Sequence, residues 1–311
     1  MRRATTWFWV VAVIVLVALP PVATALGSEY YIDLMRRILI LAIAATSLNL
    51  ILGYGGMVSF GHAAYLGIGA YAVGILAFYG FSSGWLQWTV AIAASAIVAA
   101  AIGSVSIRTS GVYFIMITLA FTQMLYYLGI SIELFGGDDG MRLKTRSQFS
   151  GLIDLTDPVQ FYYVCLALML ASVFVVHRMV NSRFGMVLRA AKSNEARSRA
   201  IGFSPYPYRL VAFIASGAIC GLAGALYANH TAYIVPGFMS WVQSGDLMFM
   251  VILGGIASSA GPLLGAFALL VIEEIFKGWT EYWQAILGPL LILSVIFFKR
   301  GLAGILHDGD A

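Results

Sequence analysis

The chain has 311 residues, 61% hydrophobic and only 10% charged, with a formal net charge of +4. A soluble globule carries about 25% charged residues, so this composition excludes a mostly wetted surface and points to a polytopic helical membrane protein. The basic residues cluster between apolar runs, a pattern that fits membrane orientation and not nucleic-acid binding.

A bilayer span needs about 20 mainly apolar residues. Trp7 to Leu26 is the first candidate, preceded by Arg2 and Arg3. The same pattern also fits a signal peptide, with Ala23-Thr24-Ala25 as a small-residue cleavage site. Leu34 to Leu52 follows, and then a stretch from Gly53 to His62 too glycine-rich for regular helix. Ala63 to Phe81 carries Ala63/Gly67 and Ala70/Gly74 at the spacing for close helix contact. Leu86 to Ile107 and Val112 to Ile132 are the fourth and fifth spans, and Glu133 to Pro158 reads as an exposed polar loop. Phe161 to Val180 is the sixth span, and Leu210 to Tyr227 the seventh, with Gly217, Gly221 and Gly224 on a thin packing face. Leu247 to Ala257 and Leu263 to Phe276 are short and flank Ser258 to Pro262, so they are either tilted spans or a broken re-entrant pair. Tyr282 to Phe298 closes the series. The expectation is an all-α integral membrane protein, one domain over residues 1–311, with about ten spans.

Ten crossings put both termini on one side. That side receives twelve of the eighteen basic residues: Arg2, Arg3, Arg108, Arg178, Lys299, Arg300 and the six between Arg183 and Arg209. The positive-inside rule makes it the cytoplasm. Trp85, Trp88, Trp241, Trp279 and Trp283 then fall near the outer interface. Arg36 and Arg37, placed outside, run against the pattern.

Several chemistries are missing from the sequence. No G-x-x-x-x-G-K-[ST] phosphate loop occurs, so no nucleotide site is expected in this chain. His62, His177, His230 and His307 lack metal-ligand spacing, and Ser258-Ser259 lacks a nucleophile elbow. Cys165 and Cys220 read as small packed hydrophobes. The chain is not expected to be an enzyme.

Glu273 and Glu274 lie late in the ninth segment, where an intramembrane acid is either a functional group or, close to the end and beside Lys277, one that reaches the headgroups. Asn49, His62 and Gln123 are polar groups that either line a path or bond across a helix contact. The glycine breaks, with Gly53, Gly55 and Gly56 in one and Gly254 and Gly255 in the other, either expose backbone to a path or allow close packing.

The basic segment between the sixth and seventh spans, residues 181–209, has an internal shape. Ser193 or Asn194 can cap a short helix from Glu195 to Ile201, Gly202 follows its end, and Pro205 and Pro207 prevent continuation. Such a helix is either held at the interface by anionic lipid or docked, through Ala196 and Ala200, in a protein groove rimmed by Glu195, Arg197 and Arg199.

The segment from Arg183 to Ala228, RFGMVLRAAKSNEARSRAIGFSPYPYRLVAFIASGAICGLAGALYA, resembles the cytoplasmic loop and following helix of branched-chain amino acid ABC transporter permeases, more narrowly the LivM-type subunit. LNLILGYGGMVSFGHAAYLGIGAYA, GVYFIMITLAF, GGDDGM and VILGGIASSAGPLLGA agree in order, over about residues 34 to 306. The resemblance implies an inner-membrane permease, whose termini the charge count above puts in the cytoplasm. It would pair with a LivH-like second permease and two ABC ATPase subunits (LivG/LivF-like) and be fed by a periplasmic solute-binding protein. ATP and Mg would be bound by those ATPases, and this chain would hold no cofactor. Lys192, Asn194, Glu195, Ala200 and Gly202 match the family's basic–x–Asp/Asn–Glu…Gly coupling pattern, with Arg197 beside them; Ser193 stands where an acid is common. The family also includes permeases for urea and short amides, so other small substrates stay open, as do an ion-coupled carrier and a channel.

Overall fold

The structure is a computed structural model that describes residues 2–25, 27–149, 151, 153–279, 285, 288–289, 292 and 301–306. Its axis is α2 (Glu29–Asn49). Every residue from Ile38 to Gly53 is buried, because α6 (Pro158–Val180), α9 (Pro205–Thr231), α10 (Trp241–Gly254) and α11 (Gly261–Lys277) all pack around it. A helix apolar on all faces belongs in a protein core or in lipid, and α2 takes the core.

α1 (Arg2–Ala25) lies against α2 and α6. It stays helical through Pro20 and Pro21, which lack the amides that would bond the carbonyls four residues earlier. Two hydroxyls from α6 take those amides' place. Tyr162 Oη donates to the Leu16 carbonyl at 2.7 Å and Tyr163 Oη to the Val17 carbonyl at 3.1 Å. In hydrocarbon an orphaned carbonyl has no water to turn to, so this match removes a real penalty.

α3 (His62–Phe78), α4 (Gly84–Ser106) and α9 form a closely packed trio. A Cβ added at Gly69 would lie 2.8 Å from Gly221 Cα, and one at Gly217 would lie 2.5 Å from Ala99 Cβ. Small residues let the backbones meet where lipid offers no hydrophobic drive to associate. α5 (Val112–Ser131) lies at the rim and buries only Phe114, Thr118 and Thr122. Among the described residues, five helical stretches are long and apolar enough to cross a membrane: Glu29–Tyr54, α4, α5, α6 and α9. Val11–Thr24, α3 and α10 are shorter apolar helices. α10 has 14 residues. At 1.5 Å per residue that is about 21 Å, short of the ~30 Å hydrocarbon core. The expected tenth span, Tyr282–Phe298, lies almost wholly outside the described residues.

The loop from Glu133 to Pro158 is not simply exposed. β1 (Met141–Arg142) pairs antiparallel with β2 (Tyr233–Ile234), Leu143, Phe149 and Leu155 are buried, and the Ser147 amide donates to Asn229 Oδ1 at 2.8 Å. It caps the end of the bundle remote from the basic segment. At that end the two arginines that ran against the charge pattern are engaged inside the protein. Arg36 pairs with Asp33 and lies 5.3 Å over the Phe161 ring; Arg37 meets Glu273 at 3.1 Å. Glu273, 8% exposed, also pairs with Lys277 at 2.5 Å, so it is directed into the bundle and not toward headgroups. Glu274 accepts from the Tyr30 hydroxyl.

Candidate functional site

At the other end α2 does not stop cleanly. Leu50–Tyr54 widens into a π-turn, a form that leaves backbone groups out of the regular ladder. The Met57 amide then reaches back to the Ile51 carbonyl at 2.9 Å. Gly56 supplies the φ of +69° for the reversal, a value that costs a side-chain-bearing residue dearly.

Asn49, 1% exposed, joins this turn to the α10–α11 connection. Its Nδ2 donates to the Ser258 carbonyl at 2.8 Å, and its Oδ1 accepts from the Ala257 amide at 3.0 Å. Gly53 leaves room for this clamp: a Cβ there would lie 2.7 Å from the Ala257 nitrogen. Gly254 and Gly265 pack equally closely, with 2.9 Å between a Cβ on Gly254 and the Gly265 nitrogen. The two glycine breaks, about two hundred residues apart in the chain, are therefore one structural unit. Gly55 lies inside the turn, where a Cβ would meet the Ile51 carbonyl at 2.7 Å. Gly255, with φ +117°, ends α10.

The chain then turns back into the bundle, and α3 begins at the fully buried His62. Hydroxyls from two other helices satisfy the broken backbone. Phe60 N donates to Thr118 Oγ1 at 3.2 Å, and the Phe60 carbonyl accepts from Thr122 Oγ1 at 3.0 Å and Ser244 Oγ at 2.8 Å. The Ala63 amide donates to Ser244 Oγ at 3.0 Å. Irregular backbone within a membrane protein persists only where protein groups replace water. His62 Nε2 lies 2.7 Å from Ser216 Oγ, whose own proton goes to the Ser47 carbonyl at 2.5 Å. Ser216 has one proton to give, so His62 carries its hydrogen on Nε2. Its ring packs edge-on to Tyr65 and Phe213. Gln123 sits apart on α5, with Nε2 buried and without a hydrogen-bond partner among the described residues.

The basic segment folds as two helices. α7 (Arg183–Ser193) is capped by Ser182, which accepts from the Gly185 amide. α8 (Glu195–Ala200) is capped by Asn194, whose Oδ1 accepts from the Arg197 amide at 2.9 Å. It closes with Phe203 N on the Ser198 carbonyl at 3.1 Å and Gly202 at φ +91°, the glycine-ended helix stop. Glu195 bonds Arg199 at 2.6 Å and Arg209 at 2.7 Å. Burial works against ionisation of the Glu195 carboxyl, but the bonds and charges of Arg209 and Arg199 outweigh it, and its pKa is lowered. Ala196, Arg197, Ala200 and Gly202 face solvent beside Ile201, 66% exposed, and Phe203, 44% exposed. Apolar and basic groups thus share one open face.

Lys192 is exposed as well, but its head is tied down. Its Nζ donates to the Gly53 carbonyl at 2.6 Å, and its stem lies over Gly56, where a Cβ would fall 2.8 Å from Lys192 Cγ. Sequence reasoning grouped it with the docking residues and missed the hydroxyls Thr118, Thr122 and Ser244. Thr118 and Thr122 lie within the expected fifth span and Ser244 just before the eighth segment, where nothing in the sequence marks what they bond.

A helical bundle with broken helices meeting in its interior, and a short capped helix displayed beyond its end, has the form of a multi-pass membrane transport protein. Residues 30–295 match the family model for the branched-chain amino acid transport system / permease component, and the chain belongs to that family. The high-affinity branched-chain amino acid transport system permease protein LivM of Escherichia coli (strain K12) is 29% identical, covering 94% of this chain and 74% of the relative. The probable branched-chain amino acid transport permease protein LivM of Methanocaldococcus jannaschii is 24% identical, covering 86% and 92%. The permease protein LivH of the same Escherichia coli system is 23% identical, covering 85% and 91%. No solved structure matches the chain.

Proposed function

We propose that this chain is a permease subunit of an ATP-driven importer for branched-chain amino acids, embedded in the bacterial inner membrane with both termini and the α7–α8 segment in the cytoplasm. It forms half of a translocation path with a LivH-like second permease. A periplasmic binding protein delivers substrate, and two ATPase subunits supply the energy, with ATP and Mg bound there. α8 is the docking element. Asn194 and Gly202 fix its ends, Glu195 ties it to Arg209 at the foot of α9, and Ala196, Arg197, Ala200, Ile201 and Phe203 meet the ATPase.

The observation that carries this reading is the open face of α8 on a chain of the permease family. A six-residue helix is far too short to be stable alone, so its caps and ion pairs hold a shape. Exposed Ile201 and Phe203 suit burial against protein. The substrate assignment rests on the relatives' names. Deleting the chain in its host should abolish energy-dependent uptake of labelled leucine, isoleucine or valine, and supplying it in trans should restore uptake. Unchanged uptake in the deletion strain would remove the transport role; loss of urea uptake alone would transfer the assignment to the short-amide branch.

A further inference from the structure

We infer that Lys192 is a strut that passes movement of the docking segment into the membrane interior, and not a contact for the ATPase. This rests on the importer reading above and assigns a role within it.

Two independent features place the side chain. The ammonium bonds the Gly53 carbonyl at 2.6 Å, one of the last carbonyls of a helical stretch that ends at Tyr54, where no further turn supplies a donor. The aliphatic stem occupies the space that the missing side chain of Gly56 leaves open. Lysine suits this position because a long apolar stem carries a charged head across apolar surface. Gly53 is in turn seated between Asn49 and Ala257, and Asn49 holds Ala257 and Ser258 by two hydrogen bonds. A continuous set of contacts therefore runs from α7 through Lys192 and Gly53 to Asn49 and the α10–α11 connection. α7 itself is coupled to α8 through Asn194, which ends one helix and caps the other. Arg209, bonded to Glu195, also reaches the Ala191 carbonyl at 3.4 Å. Displacement of α8 then moves α7 with it and pulls on the break after α2. A charged bond to a carbonyl is directional, so it transmits a pull that packing alone would let slip.

The test compares wild type, Lys192→Met and Lys192→Arg in proteoliposomes that hold the complete assembly, with leucine uptake and ATP hydrolysis measured together. The ATPase subunits should still co-purify with Lys192→Met, while leucine moved per ATP hydrolysed falls about tenfold, the factor for one lost charged hydrogen bond. Lys192→Arg should recover most of it, since it still offers a donor. Amide hydrogen exchange gives a reading independent of transport: residues 50–57 and 255–259 should exchange faster in Lys192→Met, with α8 unchanged. An unchanged leucine-to-ATP ratio, unchanged exchange in the breaks, or loss of the ATPases from Lys192→Met would each overturn the strut. Wild-type assemblies that show no ATP-dependent uptake would overturn the importer reading, and the strut with it.

Discussion

Replacing Asn49 with alanine removes one donor and one acceptor that hold the α10–α11 connection, at 2.8 and 3.0 Å. Asn49 is 1% exposed, but Ala257 is exposed and Ser258 half-buried, so water reaches the abandoned amide and carbonyl. Interhelical hydrogen bonds in membrane proteins are worth about 0.6 kcal/mol on average and up to ~1.7 kcal/mol. Two of them give ~1–3 kcal/mol. At about 1.5 °C per kcal/mol for a chain of 311 residues, the purified variant should melt about 2–5 °C below wild type. Asn49→Asp keeps the acceptor for Ala257 but loses the donor to Ser258 and buries a carboxyl, so it should melt below wild type as well. Thermal unfolding followed by tryptophan fluorescence in detergent is the assay. If Asn49→Ala melts with wild type and transports at the wild-type rate, the two glycine breaks are not joined through this residue.

Overpacking should separate the close helix contacts from the open ones: Gly69→Val and Gly224→Val should each cost about 1–3 kcal/mol in thermal unfolding, because a Cβ at Gly224 already lies 3.1 Å from Ala70 N. Gly245→Ala on α10, with nothing within 4 Å of the added carbon, should be neutral or slightly stabilising. The double variant Tyr162→Phe, Tyr163→Phe should orphan the Leu16 and Val17 carbonyls and loosen α1, read as faster proteolysis of the first thirty or so residues. The lowered Glu195 carboxyl stabilises α8 fully above its ordinary value of 4.5, and this contribution is lost as the pH falls through its lower folded value. Amide exchange of residues 195–203 should rise in that acid window in wild type and lose its pH dependence in Glu195→Gln. Gly202→Pro, which cannot adopt φ +91°, and Glu195→Arg, which repels Arg209, should abolish ATP-coupled uptake while leaving membrane insertion intact.

The loop was the most legible part of the chain because its determinants are local. Ser193 or Asn194 before Glu195 and a glycine after Ile201 state where a short helix begins and ends, and the structure uses Asn194 and Gly202. The glycine breaks were legible as places where regular helix fails. Their joining was not, because Asn49 and Ala257 are neighbours only after folding. The buried hydroxyls Thr118, Thr122 and Ser244 were likewise invisible, since a lone threonine in an apolar span reads the same whether it bonds its own helix or another's backbone. The reach of Lys192 to Gly53 was not legible either: the resemblance gives its place in the coupling pattern, but not the direction of a four-carbon stem at the end of α7. Arg36 and Arg37 offended the charge pattern because counting charges by side takes every one to face water or headgroups, whereas these two face Asp33 and Glu273.

The most direct measurement is leucine uptake into proteoliposomes loaded with ATP, comparing this chain alone with the chain assembled with its second permease, both ATPases and the binding protein. The importer reading predicts uptake only in the complete assembly and only with hydrolysable ATP inside. Uptake by the chain alone, driven by substrate or ion gradients without ATP, would contradict it.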